Sequence, residues 1–262
     1  MNSVTVRTLL VRGMIAGVFA GLLAFGLAYL IGEPQVDAAI AVEEAHAHAH
    51  AHGAEEVELV SRAVQSTAGL ATAVLVYGTA FGGIAALAFC FALGRIGGFG
   101  ARATAGLVAL TGFVTVALVP FLKYPANPPA VGDPDTLNKR TALFFLMIVL
   151  GVLLALGAVV LGRKLASRWG NWNATVAAGA AFAVAVGIAL AFLPAGDPVP
   201  KEFPADVLWE FRLASLGVQA LLWAALGLIL AHLAHRVLEA GSPAAGTAEA
   251  AEPAPAASVP AH

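Results

Sequence analysis

Residues 13–31 read GMIAGVFAGLLAFGLAYLI and contain no charged side chain. Because a helix rises about 1.5 Å per residue, a helix over this run covers roughly the 30 Å hydrocarbon core of a bilayer. Arg7 and Arg12 precede the run, and no small-residue cleavage motif ends it. The run is therefore predicted to be a retained membrane helix, since the apolar core of a cleaved signal peptide is shorter.

Five more apolar runs follow the first. They cover residues 68–93, 103–122, 141–162, 172–193 and 211–231. Charged residues make up 11% of the chain, against about 25% in soluble domains, and so few charges do not cover an aqueous surface. The fold class predicted from these runs is all-α, a polytopic membrane protein with six transmembrane helices.

Charge is distributed unevenly among the predicted connections. With a cytoplasmic N-terminus, eight of the fourteen Lys and Arg residues lie inside and thirteen of the sixteen carboxylates lie outside. The basic inner side predicts that both termini are cytoplasmic, and the acidic outer side is expected to concentrate cations. In this interpretation residues 1–238 form the membrane domain, and the Ala- and Pro-rich residues 239–262 form a disordered cytoplasmic tail.

The first predicted outer connection, residues 32–67, is rich in groups that bind metal. It holds four of the seven histidines and seven of the sixteen carboxylates. Neutral imidazole and carboxylate suit divalent zinc, nickel, cobalt and copper. The candidate metal ligands are Glu33, Asp37, Glu43, Glu44, His46, His48, His50 and His52.

Two conformations of this connection both cluster the imidazoles. A helix that begins at Pro34 places carboxylates and a pair of histidines on each of two faces. One face carries Asp37, Glu44, His48 and His52, and the other carries Glu43, His46 and His50. An extended strand instead places all four imidazoles on one side. A third interpretation is an exposed low-complexity Ala-His run without a function.

The three predicted outer connections resemble one another. Each carries acidic residues and ends on an arginine near the start of the next span, at Arg62, Arg140 and Arg212. A tandem array of three helical hairpins produces this pattern, and so does the general tendency of membrane hairpins to end in a snorkelling arginine. The second connection has four prolines within 125–134, which limit its backbone entropy. It is predicted to be an ordered lid formed by Lys123, Asn127, Asp133, Asp135 and Arg140.

Glycines recur at four-residue intervals in two spans. They are Gly13, Gly17 and Gly21 in the first span and Gly78 and Gly82 in the second. Such ridges let helices approach closely, either within the chain or against a partner.

Several kinds of chemistry are not expected. The spans carry no Asp, Glu, Lys or His at mid-depth, which argues against a proton relay of buried carboxylates. The chain has no P-loop motif and no recognisable pairing of nucleophile and base, so it is not expected to be an enzyme. The single cysteine, Cys90, excludes an internal disulfide. His232 and His235 near the end of the last span suit either a metal exit or a polar membrane interface.

Four strings of residues are distinctive. They are GEPxVDxAIAxEEAH at 32–46, VSRxxQ at 60–65, KYPANPPAVG at 123–132 with the segment up to Arg140, and FP at 203–204 followed by LW at 208–209 and FRLAS at 211–215. Over residues of about 10–236 the chain resembles the CbtA family of predicted cobalt transporter subunits. The resemblance implies a role in cobalt supply for cobalamin synthesis and a small single-span, His-containing partner, CbtB. It supplies no metal ligands.

Together these features predict a multi-pass subunit of the bacterial inner membrane that captures a divalent metal outside and passes it inward. Co²⁺ is the expected cargo, with Ni²⁺ and Zn²⁺ as alternatives, and no permanently bound cofactor is expected. The expected partners are membrane lipid, the metal ion and a CbtB-like subunit, and no nucleic acid. The alternative is a non-transporting membrane protein that buffers or senses metal or assists assembly, which the lack of ligands at mid-membrane favours.

Overall fold

The computed structural model describes residues 2–49, 60–129, 131–132, 134–196 and 198–240. Every regular element within these ranges is helical, and none is a strand. This agrees with the predicted all-α fold. Five of the described helices contain a stretch that is long and apolar enough to cross a membrane.

The five helices are labelled α1 to α5, and the first three each contain one π-helical turn. Their bounds are Ser3–Leu27, Ala28–Gly32 (π) and Glu33–Ala49 for α1; Arg62–Val64, Gln65–Gly69 (π) and Leu70–Ala92 for α2; Ala101–Gly112, Phe113–Leu118 (π) and Val119–Lys123 for α3; Leu137–Phe192 for α4; and Ala205–Ala240 for α5. A short 3-10 turn, Pro134–Thr136, precedes α4. Helix α1 begins where Asn2 Oδ1 accepts a hydrogen bond from the Thr5 amide at 2.9 Å, which satisfies one of its free N–H groups.

Helix α4 is broken at Gly170. This residue has φ 75° and ψ 162°, a left-handed conformation that glycine adopts without strain. A Cβ placed on Gly162 would lie 3.3 Å from Ala178 Cβ. In a straight helix residues this far apart in sequence are about 24 Å apart, so the chain folds back at Gly170 and its two limbs, residues 137–169 and 171–192, lie side by side. These limbs contain the predicted fourth and fifth spans.

Helices α1 and α2 cross at their glycines. A Cβ on Gly78 would lie 2.6 Å from the Gly17 carbonyl oxygen, and one on Gly17 would collide with the Gly78 carbonyl oxygen. Gly13 and Gly82 meet in the same way one turn further along. The glycine ridges therefore pack against each other within the chain, because any side chain there would separate the two backbones.

The main core is formed by α1, α2, α3 and α5. Trp223 of α5 is 5% exposed, and its six-membered ring fills the space that a Cβ on Gly112 would occupy. The same ring system meets Phe81 of α2 edge-on, with centroids 5.3 Å apart, a favourable geometry for aromatic rings. Helix α4 lies beside α3 instead, where Gly151 approaches the Thr115 carbonyl oxygen.

The glycine crossing predicts different effects for two substitutions in α1. Gly17→Ala places a methyl group against the α2 backbone, and we expect it to destabilise the protein by about 1–3 kcal/mol, as overpacking does. Gly26→Ala is the matched control, because nothing lies within 4 Å of a Cβ there, and it is expected to change stability by less than about 1 kcal/mol. Thermal unfolding of both variants in detergent measures the difference. Equal melting temperatures would contradict the crossing.

Candidate functional site

The register between α1 and α2 brings Glu33 and Arg62 to the same level. The two helices are antiparallel, since Gly13 meets Gly82 and Gly17 meets Gly78. Glu33 lies sixteen residues beyond Gly17, and Arg62 lies sixteen residues before Gly78. Both are therefore about 24 Å from the crossing, on the same side of it. This end of the bundle, which the charge pattern predicts to face outward, is called the cavity end below.

Arg62 binds two of the candidate metal ligands. Its Nη2 donates to Glu33 Oε2, its Nε lies 3.0 Å from Asp37 Oδ1, and its Nη2 lies 2.9 Å from the same Asp37 oxygen. The guanidinium thus spans two carboxylates that are one helical turn apart on α1. The Glu33 side chain is 14% exposed and the Asp37 side chain 64%. A metal ion reaching these two carboxylates meets a cation that is already bound.

The other candidate ligands lie further along α1. Its backbone is helical through Ala49, so the helical arrangement rather than the extended one holds for His46 and His48. Glu43 and Glu44 are exposed on this segment. His50 and His52 lie outside the described residues. Within the described ranges, no group of three or more His, Cys, Asp or Glu side chains gathers in a way that would hold a metal ion.

A cavity of about 940 Å³ opens beside this pair. All five helices contribute to its wall, which runs along α5 from Arg212 to Gln219, two helical turns or about 10 Å. The π-helical turns of α1 and α3 contribute Ala28, Gly32, Val116 and Ala117 to this wall. Each of these two turns is closely followed by a proline, Pro34 or Pro120, which cannot donate to the carbonyl four residues earlier and so widens the turn.

The connection between α3 and α4 is tied to the helices around it. Lys123 Nζ donates to the Leu190 carbonyl at 2.7 Å, and the Tyr124 hydroxyl donates to the Pro194 carbonyl at 2.8 Å. Arg212 donates to Asn127 Oδ1 at 2.9 Å and to the Ala126 carbonyl at 3.3 Å. Burial raises the pKa of the Tyr124 hydroxyl above its ordinary value.

Several residues of the predicted lid make contacts that hold them in place. Lys123 and Asn127 are anchored as described, and Asp135 and Arg140 each have a polar partner. Asp133 lies outside the described residues. The sequence places Arg212 at the end of the third connection, but it did not predict that this arginine would bind the second connection.

The extension of α1 beyond Glu33 covers one side of the cavity end. Ala39 is fully buried, and it belongs to a small apolar cluster with Val131 and Phe203, which are 8% and 6% exposed. Val42 packs against the same cluster. The acidic and His-bearing segment that begins at Glu43 therefore starts where this packing ends.

The charge of the cavity differs from that of the segment above it. Within the described ranges, three cationic side chains line the cavity, Lys123, Arg140 and Arg212, against one carboxylate, Glu33. Sequence reasoning placed a cation-attracting surface here because it counted the carboxylates of all the connections together. The structure separates them: Glu43 and Glu44 are exposed on α1, and the basic groups surround the cavity.

At the opposite end of the bundle, His235 is held by a neighbour on its own helix. Its Nε2 lies 2.9 Å from Glu239 Oε1, one turn along α5. Arg12 of α1 donates to the Leu233 carbonyl at 3.1 Å nearby. These contacts are typical of polar groups at a membrane interface.

The pairing of Arg62 predicts how metal binding responds to its removal. Arg62→Gln frees Glu33 and Asp37, so Co²⁺ should bind there roughly threefold to tenfold more tightly, and Arg62→Lys, which keeps the charge, should change affinity less. Calorimetric titration of the purified protein measures this, in a background where His46, His48, His50 and His52 are alanine so that the histidines do not obscure the site. Identical affinities for all three proteins would show that the two carboxylates do not bind the metal.

Comparison with known proteins gives one match. The family described as "Probable cobalt transporter subunit (CbtA)" matches residues 6–235. Neither the curated proteins nor the solved structures contain a match. The matched region includes the glycine crossing, the Arg62 pair and every residue that lines the cavity. Since this match covers most of the chain, the protein belongs to the CbtA family of probable cobalt transporter subunits.

Proposed function

We propose that this protein is the membrane subunit of a cobalt uptake transporter, which captures the metal at the cavity end and passes it inward. The observation that carries the proposal is the family match over residues 6–235 in a chain with five long apolar helices. Cobalt itself rests on the family description, because His and carboxylate ligands hold nickel or copper more tightly. A subunit requires a partner, and a small single-span CbtB-like protein is the partner proposed.

The proposed topology has six membrane crossings with both termini in the cytoplasm of a bacterial cell. Its support is the break at Gly170, since α4 has 56 residues and would be about 84 Å long if it were straight. The two side-by-side limbs, residues 137–169 and 171–192, are about 50 Å and about 33 Å long, so each is long enough to cross the roughly 30 Å hydrocarbon core. The cavity end then faces outward, as the acidic connections predict. Whether the three connections reflect an ancestral repeat stays a prediction.

Reporter fusions test this topology. Fusions after Arg95 and after Arg168 should both report the cytoplasm, because each follows an even number of crossings. A fusion within residues 125–135 should report the opposite side. A periplasmic signal at Arg168 would contradict the separation of the two limbs of α4.

Capture is proposed to occur in two stages. The exposed Glu43 and Glu44 and the histidines after them raise the local concentration of metal, and Glu33 and Asp37 form the entry site at the base of the segment. At the entry site a divalent ion takes the place of the Arg62 guanidinium, which both carboxylates already bind. The exchange replaces one positively charged partner by another, so the carboxylates are never left without compensating charge.

The two stages predict different responses to substitution. When His46, His48, His50 and His52 are all replaced by Ala, uptake should fall at low external Co²⁺ and recover at high Co²⁺, since Ala preserves the helix and abundant metal needs no concentrating. When Glu33 and Asp37 are replaced by their amides, uptake should fail even at saturating Co²⁺, because excess metal outside does not replace a missing ligand at the entry site. Uptake of radioactive Co²⁺ into cells over a range of concentrations separates the two patterns.

A control is needed because the amide variant leaves Arg62 without its two partners. Adding Arg62→Gln to these two amides removes the stranded charge, and uptake should remain absent if Glu33 and Asp37 are the entry site. Full uptake by either carboxylate variant at every concentration would exclude them from the path.

A second candidate function is supported by a different observation. The described helices carry no Asp, Glu or His near the glycine crossing or the buried face of Trp223, so metal ligands are lacking at mid-depth. This favours a protein that buffers or senses metal, or assists assembly, without transporting it. Co²⁺ uptake into liposomes with and without this chain, alone and with its partner subunit, discriminates the two functions.

A further inference from the structure

We propose that the cavity binds an oxyanion, a phosphate or carboxylate group, through Lys123 and Arg212. This goes beyond metal capture and does not depend on it. Both side chains line the cavity and are half-buried. They belong to different elements, the end of α3 and the first turns of α5, and both contribute to the lining of this one cavity.

Among the residues that the structure describes, these two cations donate only to neutral acceptors. Lys123 donates to the Leu190 carbonyl, and Arg212 donates to the Ala126 carbonyl and the Asn127 amide oxygen. All three acceptors are neutral. Among the described residues, no carboxylate lies within ion-pair distance of either side chain. A desolvated cation with only neutral acceptors is costly, and an anion placed beside it offsets that cost.

The nearby charges do not change this conclusion. Glu33 is the one carboxylate that the described part of the chain contributes to the lining, and Arg62 already binds it. Arg140 also lines the cavity, but it interacts with another group, so it is left out of the proposed site. Asn127 accepts from Arg212 through Oδ1, which leaves its amide nitrogen as a donor toward the same region.

The other lining residues indicate what kind of molecule fits the cavity. The hydroxyls of Thr141 and Ser215 add donors to the lining of the cavity, and the aromatic rings of Phe121, Phe144 and Phe211 make much of the rest apolar. A volume of about 940 Å³ is at the upper end of small-molecule sites. The cavity therefore suits an oxyanion attached to an apolar or extended body, which is either a lipid with an anionic headgroup or a soluble organic anion.

The experiment uses the full-length protein in a neutral detergent and has two arms. In the first arm, phosphatidylglycerol and phosphatidylcholine are added separately, and lipid retained by the protein is measured by native mass spectrometry. In the second arm, inorganic phosphate and citrate are titrated by calorimetry. Preferential retention of phosphatidylglycerol identifies a lipid headgroup, and saturable binding of phosphate or citrate identifies a soluble anion. The absence of both overturns the proposal.

Three variants decide whether Lys123 and Arg212 form the site. Lys123→Gln and Arg212→Gln should each weaken binding at least tenfold, since each removes one charge that faces the anion. Lys201→Gln is the matched control, because Lys201 is an exposed cation in the connection before α5 that does not line the cavity, and it should bind like the native protein. If Arg212→Gln fails to fold, Lys123→Gln decides the question, because it leaves the contacts of Arg212 with Ala126 and Asn127 in place. Equal binding by Lys123→Gln and Lys201→Gln overturns the proposal.

Discussion

The direct backbone contact between Gly17 and Gly78 sets the register of α1 against α2, and the alignment of side chains at the cavity end depends on it. Two membrane helices that meet without intervening side chains have little freedom to slide, because each carbonyl lies against the neighbouring backbone. The register set there is carried along both helices to the cavity end, where it brings Arg62 opposite Glu33 and Asp37. A shift by one helical turn would move this pair apart by about 5 Å. The register of the two helices therefore determines both the glycine packing in the middle of the bundle and the charge pairing at its end.

Charge at the cavity end is arranged in two layers. Acidic groups stand on the exposed part of α1, and basic groups surround the cavity below. A divalent cation is attracted by the first layer and repelled by the second, unless something else in the cavity supplies negative charge. The arrangement places the Arg62 pair at the boundary between the two layers.

The sequence predicted the all-helical fold and the glycine ridges of the first two helices, and the structure shows that these ridges pack against each other within the chain. Apolar runs of membrane length identify the helices because backbone groups in lipid must bond within their own helix. Gly17 and Gly78 were recognised because their spacing follows the helical period. The break at Gly170 lies between two of the predicted runs, and there the position of the turn also followed from the pattern.

The site was predicted less completely, for a physical reason. Glu33 and Asp37 were selected as ligands from their type and spacing along one helix, but their partner Arg62 comes from another helix, and only the register between helices joins them. The cavity has the same origin, since Lys123 and Arg212 belong to segments far apart in the chain. The charges of each connection were added up in the sequence-based prediction, although the fold places the acidic and the basic groups in different layers. Patterns within one helix could be predicted from the sequence, whereas contacts between helices could be found only in the structure.

The continuous helix of α1 also sets the distance over which its charges act. From Glu33 to His48 the rise along the helix is about 22 Å, whereas charges in solution at physiological ionic strength are screened over about 8 Å. The interaction between an ion at the far end of α1 and the Arg62 pair at its base is therefore largely screened. A change in the metal affinity of the histidine segment would therefore leave the proposed entry site unaffected, because the length of one uninterrupted helix separates the two groups of side chains.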